Sequence, residues 1–451
     1  MVRSALIGAT LSLFCIHLVG QSTSQPEFTS FEQAKVVLTK MPSAISPKIQ
    51  DAAQWSAWVR SEDGKIRHRL VRGEEDTLTN FLRSGVTFTS EPRISNRELL
   101  SYGQNAIVTA RAGIRANDLI HAMSSEEAVA RNERVAHMRA FLKSKSFSFA
   151  TPTDREKIRT YLLHNLARMR DEFLKYVNEP KGTNTFEMFK NRGISLDTNL
   201  YPDFLIDQHL RHMIQSGLLR PGSVHHVAII GPGLDFSNKE AGNDFYPPQT
   251  VQPFAVLDSL IRLGLSDPAT VELDTLDVSP EVNFHIARAR QAAMKGKPYV
   301  VQLPWSSRAA FAPEYHAEFS DYWKHLGDKI GVQIAPIPVP AGVVPGTETR
   351  AVKVRPEIVD RITPINLDIV CQTLPHPKYD LVIETNVFVY YDDLELSLAR
   401  VNVEHMLKPG GFLIANDKLP ETVQAGLHES LITEQIVATK PAYMFSYQRG
   451  R

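Results

Sequence analysis

The chain has 451 residues, 43% of them apolar, which is enough for two or three domains with proper cores. Its 50 Lys and Arg residues balance 50 Asp and Glu, and no basic run stands out, which argues against a nucleic-acid surface. The only cysteines are Cys15 and Cys371, so loss of the N-terminus would leave no intrachain disulfide.

Met1-Val2-Arg3 carries a positive charge, Ala5 to Gly20 is largely apolar, and Gln21-Ser22-Thr23-Ser24 is small and polar. This is the layout of a secretory signal over residues 1–24, cleaved between Gly20 and Ser24. The mature protein would then be secreted or periplasmic; an uncleaved leader makes it membrane-anchored, and an early start codon cytoplasmic. The apolar core is short of the roughly 20 residues of a membrane span, and no later run approaches that length, so no stable span is expected once the leader is gone.

Residues 25–220 read as a mainly α-helical domain. The stretch from Gln25 to about Asn96 is weakly periodic and broken by Pro26, Pro42, Pro47 and Pro92. Ser125 to Lys143 reads as a helix. Thr153-Asp154-Arg155-Glu156 has a capping-box pattern that opens a run to Val177, with Ile158, Leu162, Leu166, Met169, Phe173 and Val177 in one stripe. The polar loop Asn191 to Asn199 either closes over a ligand or simply turns the chain into a helix over Asp203 to Ser216. His209 and His212, like His225 and His226, lack a third ligand at recognisable spacing, so no metal site is expected.

Residues 221–451 have an α/β rhythm. Val227 to Ile230 is an apolar run suited to a strand buried on both faces, and it stops at Gly231-Pro232-Gly233. The glycines remove side chains that would hold a ligand off the backbone, and Pro232 stiffens the turn. An amphipathic stretch from Thr250 to Leu265 precedes a strand from Thr270 to Val278 and then Asp277-Val278-Ser279-Pro280-Glu281. A carboxylate there can accept both hydroxyls of a ribose. Asp277 lies well beyond the roughly 20 residues that separate glycine turn and acid in a dinucleotide fingerprint, which disfavours NAD. A helix is expected over Pro280 to Met294.

About 297–349 reads as an insertion. It has strands at Tyr299 to Leu303 and Ile330 to Val339, a helix at Pro313 to Leu326, and aromatics (Trp305, Phe311, Tyr315, Phe319, Tyr322, Trp323) that either line a pocket or pack the insertion onto the body. Arg350 to Val359 reads as a strand, and Leu381 to Ile383 as a buried strand ending in the polar Glu384-Thr385-Asn386. A helix from Asp392 to Leu407 is stopped by Lys408-Pro409-Gly410-Gly411. Phe412 begins the next strand, and Leu427 to Val437 with Ala442 to Gln448 form a closing strand pair.

Taken together, the glycine turn, the acid after the second strand, Tyr379-Asp380-Leu381-Val382 through Asn386, and Leu407 to Ile414 resemble a class I S-adenosylmethionine-dependent methyltransferase. With Asn386 to Tyr391 between the last two elements, the C-terminal part is most similar to the chemotaxis-receptor glutamate methyltransferases. The resemblance covers about Val224 to Arg451. It implies a Rossmann-like seven-stranded sheet behind the helical domain and S-adenosyl-L-methionine as cofactor; the first hypothesis for the acceptor is a small molecule or lipid, and the residues do not specify its reacting group. It places the methionine end of the cofactor against Gly231, Pro232 and Gly233, the ribose on Asp277 with Val278, and the adenine by Asp368 and Ile369. The stretch Glu384-Thr385-Asn386 then faces the methyl group, with Glu384, Tyr390 and Tyr391 as candidates for a base. The alternative is an exported, non-catalytic binding protein on the same fold. The oligomeric state is not legible in the sequence.

Overall fold

The computed structural model describes residues 25–41, 49–178, 193–198, 200–236, 243–306, 313–419, 426–437 and 440–450. The leader 1–24, Asn191, Arg192, Asn199 and Phe311 lie outside them. In chain order the elements begin with β1 (Glu27–Phe28), α1 (Phe31–Lys40), α2 (Ala52–Ser84), α3 (Asn96–Leu100), α4 (Ala106–Ser124), α5 (Glu126–Arg131), α6 (Glu133–Ser144), α7 (Pro152–Asn178) and α8 (Leu200–Gln215). The α/β part follows with β2 (His226–Ile230), α9 (Gln252–Arg262), β3 (Glu272–Asp277) and α10 (Pro280–Ala293). Next come β4 (Tyr299–Ser306), α11 (Pro313–His325), β5 (Gly331–Ile334), β6 (Thr347–Val354), α12 (Pro356–Val359), β7 (Ile362–Asn366) and β8 (Gln372–Thr373). The chain closes with β9 (Tyr379–Glu384), α13 (Asp393–Met406), β10 (Leu407–Ala415), β11 (Leu427–Val437) and β12 (Lys440–Arg449).

Seven strands form one sheet in the order β11-β12-β10-β9-β2-β3-β7. β7, β3, β2, β9 and β10 run parallel, and the β11–β12 hairpin adds antiparallel to β10. The chain starts in the middle of the sheet, winds outward through β3 to β7, and then returns to β9 on the other side of β2. Such a reversal opens a crevice beyond the carboxyl ends of the two central strands, here β2 and β9. Both sheet faces are covered, so the strands alternate between two cores: Val227, Ile229, Leu381 and Ile383 pack on one, and Ala228, Ile230 and Val382 on the other.

The helical N-terminal region does two jobs. Trp55, Val59 and Ile66 of α2 join the core on one sheet face, with Ala34 and Val37 of α1 and the short β1–β8 pairing. Its later residues Leu78, Phe81 and Leu82 instead enter a helical core with α4, α6 and α7. The sequence reading missed this 33-residue helix, because Gly64, Gly73 and its charged residues blur the stripe. The expected helix at Ser125 to Lys143 is two helices, broken where Asn132 caps α6. In α7 the cap falls earlier than expected: Thr151 Oγ1 accepts from the Asp154 N–H at 3.1 Å and the Asp154 carboxylate accepts from the Thr151 N–H at 3.3 Å. Val177 is exposed, so the buried stripe ends before it.

The insertion carries its own antiparallel sheet, β4-β6-β5, covered by α11. The expected strand at Arg350 to Val359 stops at Val354 and belongs to this sheet, while the main sheet's third parallel strand is β7. Pro364 hides β7 in the sequence; at a sheet edge its missing N–H leaves no ladder bond unmade. Trp305, Phe319, Tyr322 and Trp323 pack with one another and, through Phe319 and Tyr322, with Phe204 of α8 at ring separations of 5.4 and 5.6 Å. They seat the insertion rather than open a pocket. β10 begins at Leu407, and its pairing with β9 is irregular up to Phe412, across the Lys408–Gly411 stretch.

Candidate functional site

A cavity of about 450 Å³ lies at the β2–β9 reversal. Its wall includes Gly231 and Gly233 after β2, Asp277 at the end of β3 with Val278 after it, Leu367 and Ile369 after β7, Thr385 to Val387 with Val389 to Tyr391 after β9, and Asp417 after β10. The Ser195-Leu196-Asp197-Thr198 loop and Gln252 of α9 complete it.

The glycine turn and this loop fit against each other. Both glycines have positive φ, +63° and +64°. A Cβ on Gly233 would lie 2.6 Å from the Leu196 carbonyl oxygen, and one on Gly231 would lie 2.4 Å from a Val387 methyl. The Leu234 N–H donates to the Leu196 carbonyl at 2.7 Å, so the loop runs alongside the turn as a short parallel bridge between Asp197 and Leu234. On its far side the loop rests on α2, where a Cβ on Gly73 would fall 1.7 Å from the Ile194 carbonyl oxygen. Of the two readings of this loop, the structure supports a wall of the cavity.

Asp277 sits at the end of β3, 7% exposed. Its Oδ1 accepts from the Ser279 N–H at 2.7 Å. Burial pushes the carboxyl up to about 7, against the draw of the Ser279 and Gly233 N–H groups. Linking the acid to the glycine turn in this way ties together the two ends of the crevice.

Glu384 lies behind the wall. Its Oε1 accepts from the N–H groups of Val387 and Phe388 at 2.7 and 2.9 Å, capping the turn that carries the tyrosines, while Oε2 is buried with no hydrogen-bond partner. Burial and the neighbouring Asp417 raise its pKa, and burial raises that of Asp417. Asn386, with φ +60°, pairs with Asn416 across the strand ends: its N–H donates to the Asn416 side-chain oxygen at 2.9 Å, and the Asn416 amide returns a bond at 2.8 Å. Gln252 donates to the Thr385 hydroxyl at 2.8 Å. Arg69 of α2 donates to the Tyr390 carbonyl, pairs with Glu395 at 3.1 Å and lies 5.8 Å from the Tyr391 ring centre, which fixes both tyrosines on the wall.

The structure thus brings Gly231, Gly233, Asp277, Val278, Ile369, Asn386, Tyr390 and Tyr391 to one cavity, with Glu384 just behind them. Pro232 shapes the turn without reaching the cavity. Asp368 turns the other way: its carboxylate accepts from the Val370 N–H at 2.9 Å, and Leu367 and Ile369 on either side of it line the space. Asp235 also points elsewhere, accepting from the Tyr246 hydroxyl and the Gln249 amide. Thr385, inside the expected Glu384 to Asn386 stretch, also lines the space; Gln252 and Asp417 were not singled out from the sequence, although Asn416-Asp417 ending a buried strand repeats the pattern of Glu384 to Asn386.

Charge defines what the cavity can hold. Among the described residues its lining carries three carboxyl groups, Asp197, Asp277 and Asp417, and no Lys, Arg or His. A phosphate-bearing ligand would meet uncompensated repulsion there, whereas a cation would not.

No family model and no curated relative matches the sequence. Among solved structures, the chain is similar to the N-methyltransferase NodS from Bradyrhizobium japonicum WM9 in complex with S-adenosyl-L-homocysteine (15% identity over 59% of this chain and 100% of that one, TM-score 0.30). It is also similar to the magnesium protoporphyrin IX methyltransferase ChlM from Synechocystis PCC 6803 with bound SAM (12%, 62% and 90%, TM-score 0.28). A third likeness is to a TehB-like SAM-dependent methyltransferase from Corynebacterium glutamicum (10%, 56% and 100%, TM-score 0.25). The class of fold is set by the strand order: a Rossmann-like, seven-stranded α/β sheet behind a mainly α-helical N-terminal region.

Proposed function

We propose that the protein is an S-adenosyl-L-methionine-dependent methyltransferase acting on a small-molecule or lipid acceptor. The observation that carries this reading is the acidic lining of the crevice at the β2–β9 reversal, free of cationic side chains among the described residues. The cofactor would supply an activated methyl on a positively charged sulfonium, and the residues here fit such a group. Gly231 and Gly233 leave room for its amino-acid end, Asp277 offers a buried carboxylate to the ribose, and Leu367, Val278 and Ile369 offer apolar surface to the base. Asp197 and Asp417 supply negative charge for the ammonium and sulfonium.

The residues' own work is binding and placement, which is the larger part of what transfer of an activated methyl needs. Tyr390 and Tyr391, held by Arg69, exclude water from the wall beside the β9 end. The Glu384–Asp417 pair keeps a proton at neutral pH because burial disfavours two adjacent charges; it can hold or take up the acceptor's proton. An acidic wall suits an acceptor that arrives neutral or protonated. It suits a carboxylate poorly, although the resemblance of the C-terminal part to the chemotaxis-receptor methyltransferases would imply one. The leader would carry the protein out of the cytosol, and N-terminal sequencing of the native protein checks that step.

Calorimetric titration tests the binding claim. S-adenosylhomocysteine is expected to bind one per chain, to be lost in Asp277→Ala and to be kept in Tyr390→Phe. Tight NAD binding with no S-adenosylhomocysteine binding would contradict it.

A further inference from the structure

On the other side of the Gly233-Leu234 turn, three side chains from distant parts of the chain converge. Glu74 comes from the middle of α2, His137 from α6 and Glu281 from the first turn of α10. His137 Nε2 stands 3.0 Å from a Glu74 carboxylate oxygen and 3.4 Å from a Glu281 oxygen, and one ligand atom from each of the three lies within 4.8 Å of the others. We propose that Glu74, His137 and Glu281 bind a divalent transition-metal ion, zinc by preference, which clamps the helical region to the start of α10.

The spacing is that of ligands around one small ion. Zinc holds imidazole nitrogen and carboxylate oxygen at 2.0–2.2 Å, which in a tetrahedron puts the ligand atoms roughly 3.3 Å apart. One imidazole with two carboxylates is a donor set for zinc, manganese or iron rather than for calcium or magnesium, which favour all-oxygen shells. Each ligand stands on a helix, so its position is fixed by packing. The His137 ring is further held against Phe236, 4.7 Å between centres. Glu74 and His137 are 13% and 19% exposed and Glu281 is 49% exposed. Glu281 borders a cavity of about 520 Å³ that also touches His137, Glu133, His285 and Arg288, giving an ion a way in and water a place at the fourth position. Of the cations nearby, Arg288 shares the wall of that cavity, and Arg134 is turned away: its Nε donates to the Tyr246 carbonyl at 2.9 Å and its guanidinium lies over the Tyr246 and Phe236 rings.

The clamp would act on the cofactor crevice from outside, because α10, capped by Ser279, begins at Pro280, three residues after Asp277, and contributes Val282 to the crevice wall.

The test is titration of the untagged full chain, stripped with chelator, by zinc chloride and then by magnesium chloride, with thermal melts alongside. Expected are one zinc per chain, a rise in melting temperature on loading, and affinity at least tenfold above magnesium. His137→Ala and Glu281→Gln should each weaken zinc binding at least tenfold while keeping the wild-type circular dichroism spectrum. Glu281 is half exposed, so its variant keeps the test open if His137→Ala does not fold. Absence of stoichiometric zinc binding in the wild type, or undiminished binding in Glu281→Gln, overturns the proposal.

Discussion

The buried carboxyls make the site sensitive to pH in a direction that can be stated. Asp277 can accept two ribose hydroxyls only when ionised, and burial has raised it to about 7. Affinity for S-adenosylhomocysteine should therefore be highest above pH 7 and fall by up to about tenfold per unit below it. Asp277→Asn should bind weakly at every pH, and calorimetry between pH 5.5 and 8.5 checks both. Asp203, fully buried on α8 beside the Gln252 amide, gives a stability counterpart, its carboxyl pushed up by burial to about 8. Here the folded chain keeps a proton that the unfolded chain loses above pH 4. The contribution is whole below that and is lost as pH rises through 8. His209 and His285, lowered to about 4, act in the opposite sense between pH 4 and 6.5, so comparison with a variant isolates Asp203. Asp203→Asn should gain stability relative to wild type by about 1 kcal/mol per unit between pH 5 and 8, measured by urea unfolding. Asp277 was legible in the sequence because an acid ending an apolar strand has few structural reasons to be there. Asp368 was legible only as to place: neighbours along an extended chain face opposite ways, and here Leu367 and Ile369 take the cavity side. Asp417 carried a signal, a polar pair ending a buried strand, that was passed over, whereas Gln252 opens a helix and reaches the cavity only through the packing of α9 beside the β9 end.

At the scale of elements, the site depends on a loop that is neither helix nor strand. Residues 193–198 are trapped between α2 and the glycine turn, and Gly73 is what lets them lie so close to a helix. A methyl group at Gly73 would meet the Ile194 backbone, which cannot move without pulling Asp197 from the wall. Gly73→Ala should cost on the order of 1–3 kcal/mol and weaken S-adenosylhomocysteine binding with it; urea unfolding and calorimetry check the pair. Gly64→Ala, in the same helix with open space around it, should do neither. The sequence showed the loop but not its support, because a glycine inside a charged helix is indistinguishable there from one that simply weakens it. Periodicity found β2, β3 and β9 readily, since strands buried on both faces leave apolar runs. It missed β7, where an edge position tolerates Pro364, and α2, whose apolar side changes partner halfway along.

For the whole molecule, one topological event organises everything else. The chain reverses direction of winding between β7 and β9, and the gap this opens between β2 and β9 is floored by glycine, walled by carboxyls and closed on one side by the helical region. The order of these elements could be read from the sequence, but the packing of α1 and α2 onto the sheet could not, because contacts between segments several hundred residues apart leave no local pattern. The decisive measurement is a crystal structure of the full chain grown with S-adenosylhomocysteine. The nucleoside is expected in the β2–β9 crevice, with its ribose hydroxyls on Asp277, its amino acid against Gly231 and Gly233, and its sulfur toward the β9 and β10 ends. A crevice filled instead by the chain's own side chains, or a ligand bound elsewhere with Asp277 untouched, would contradict it.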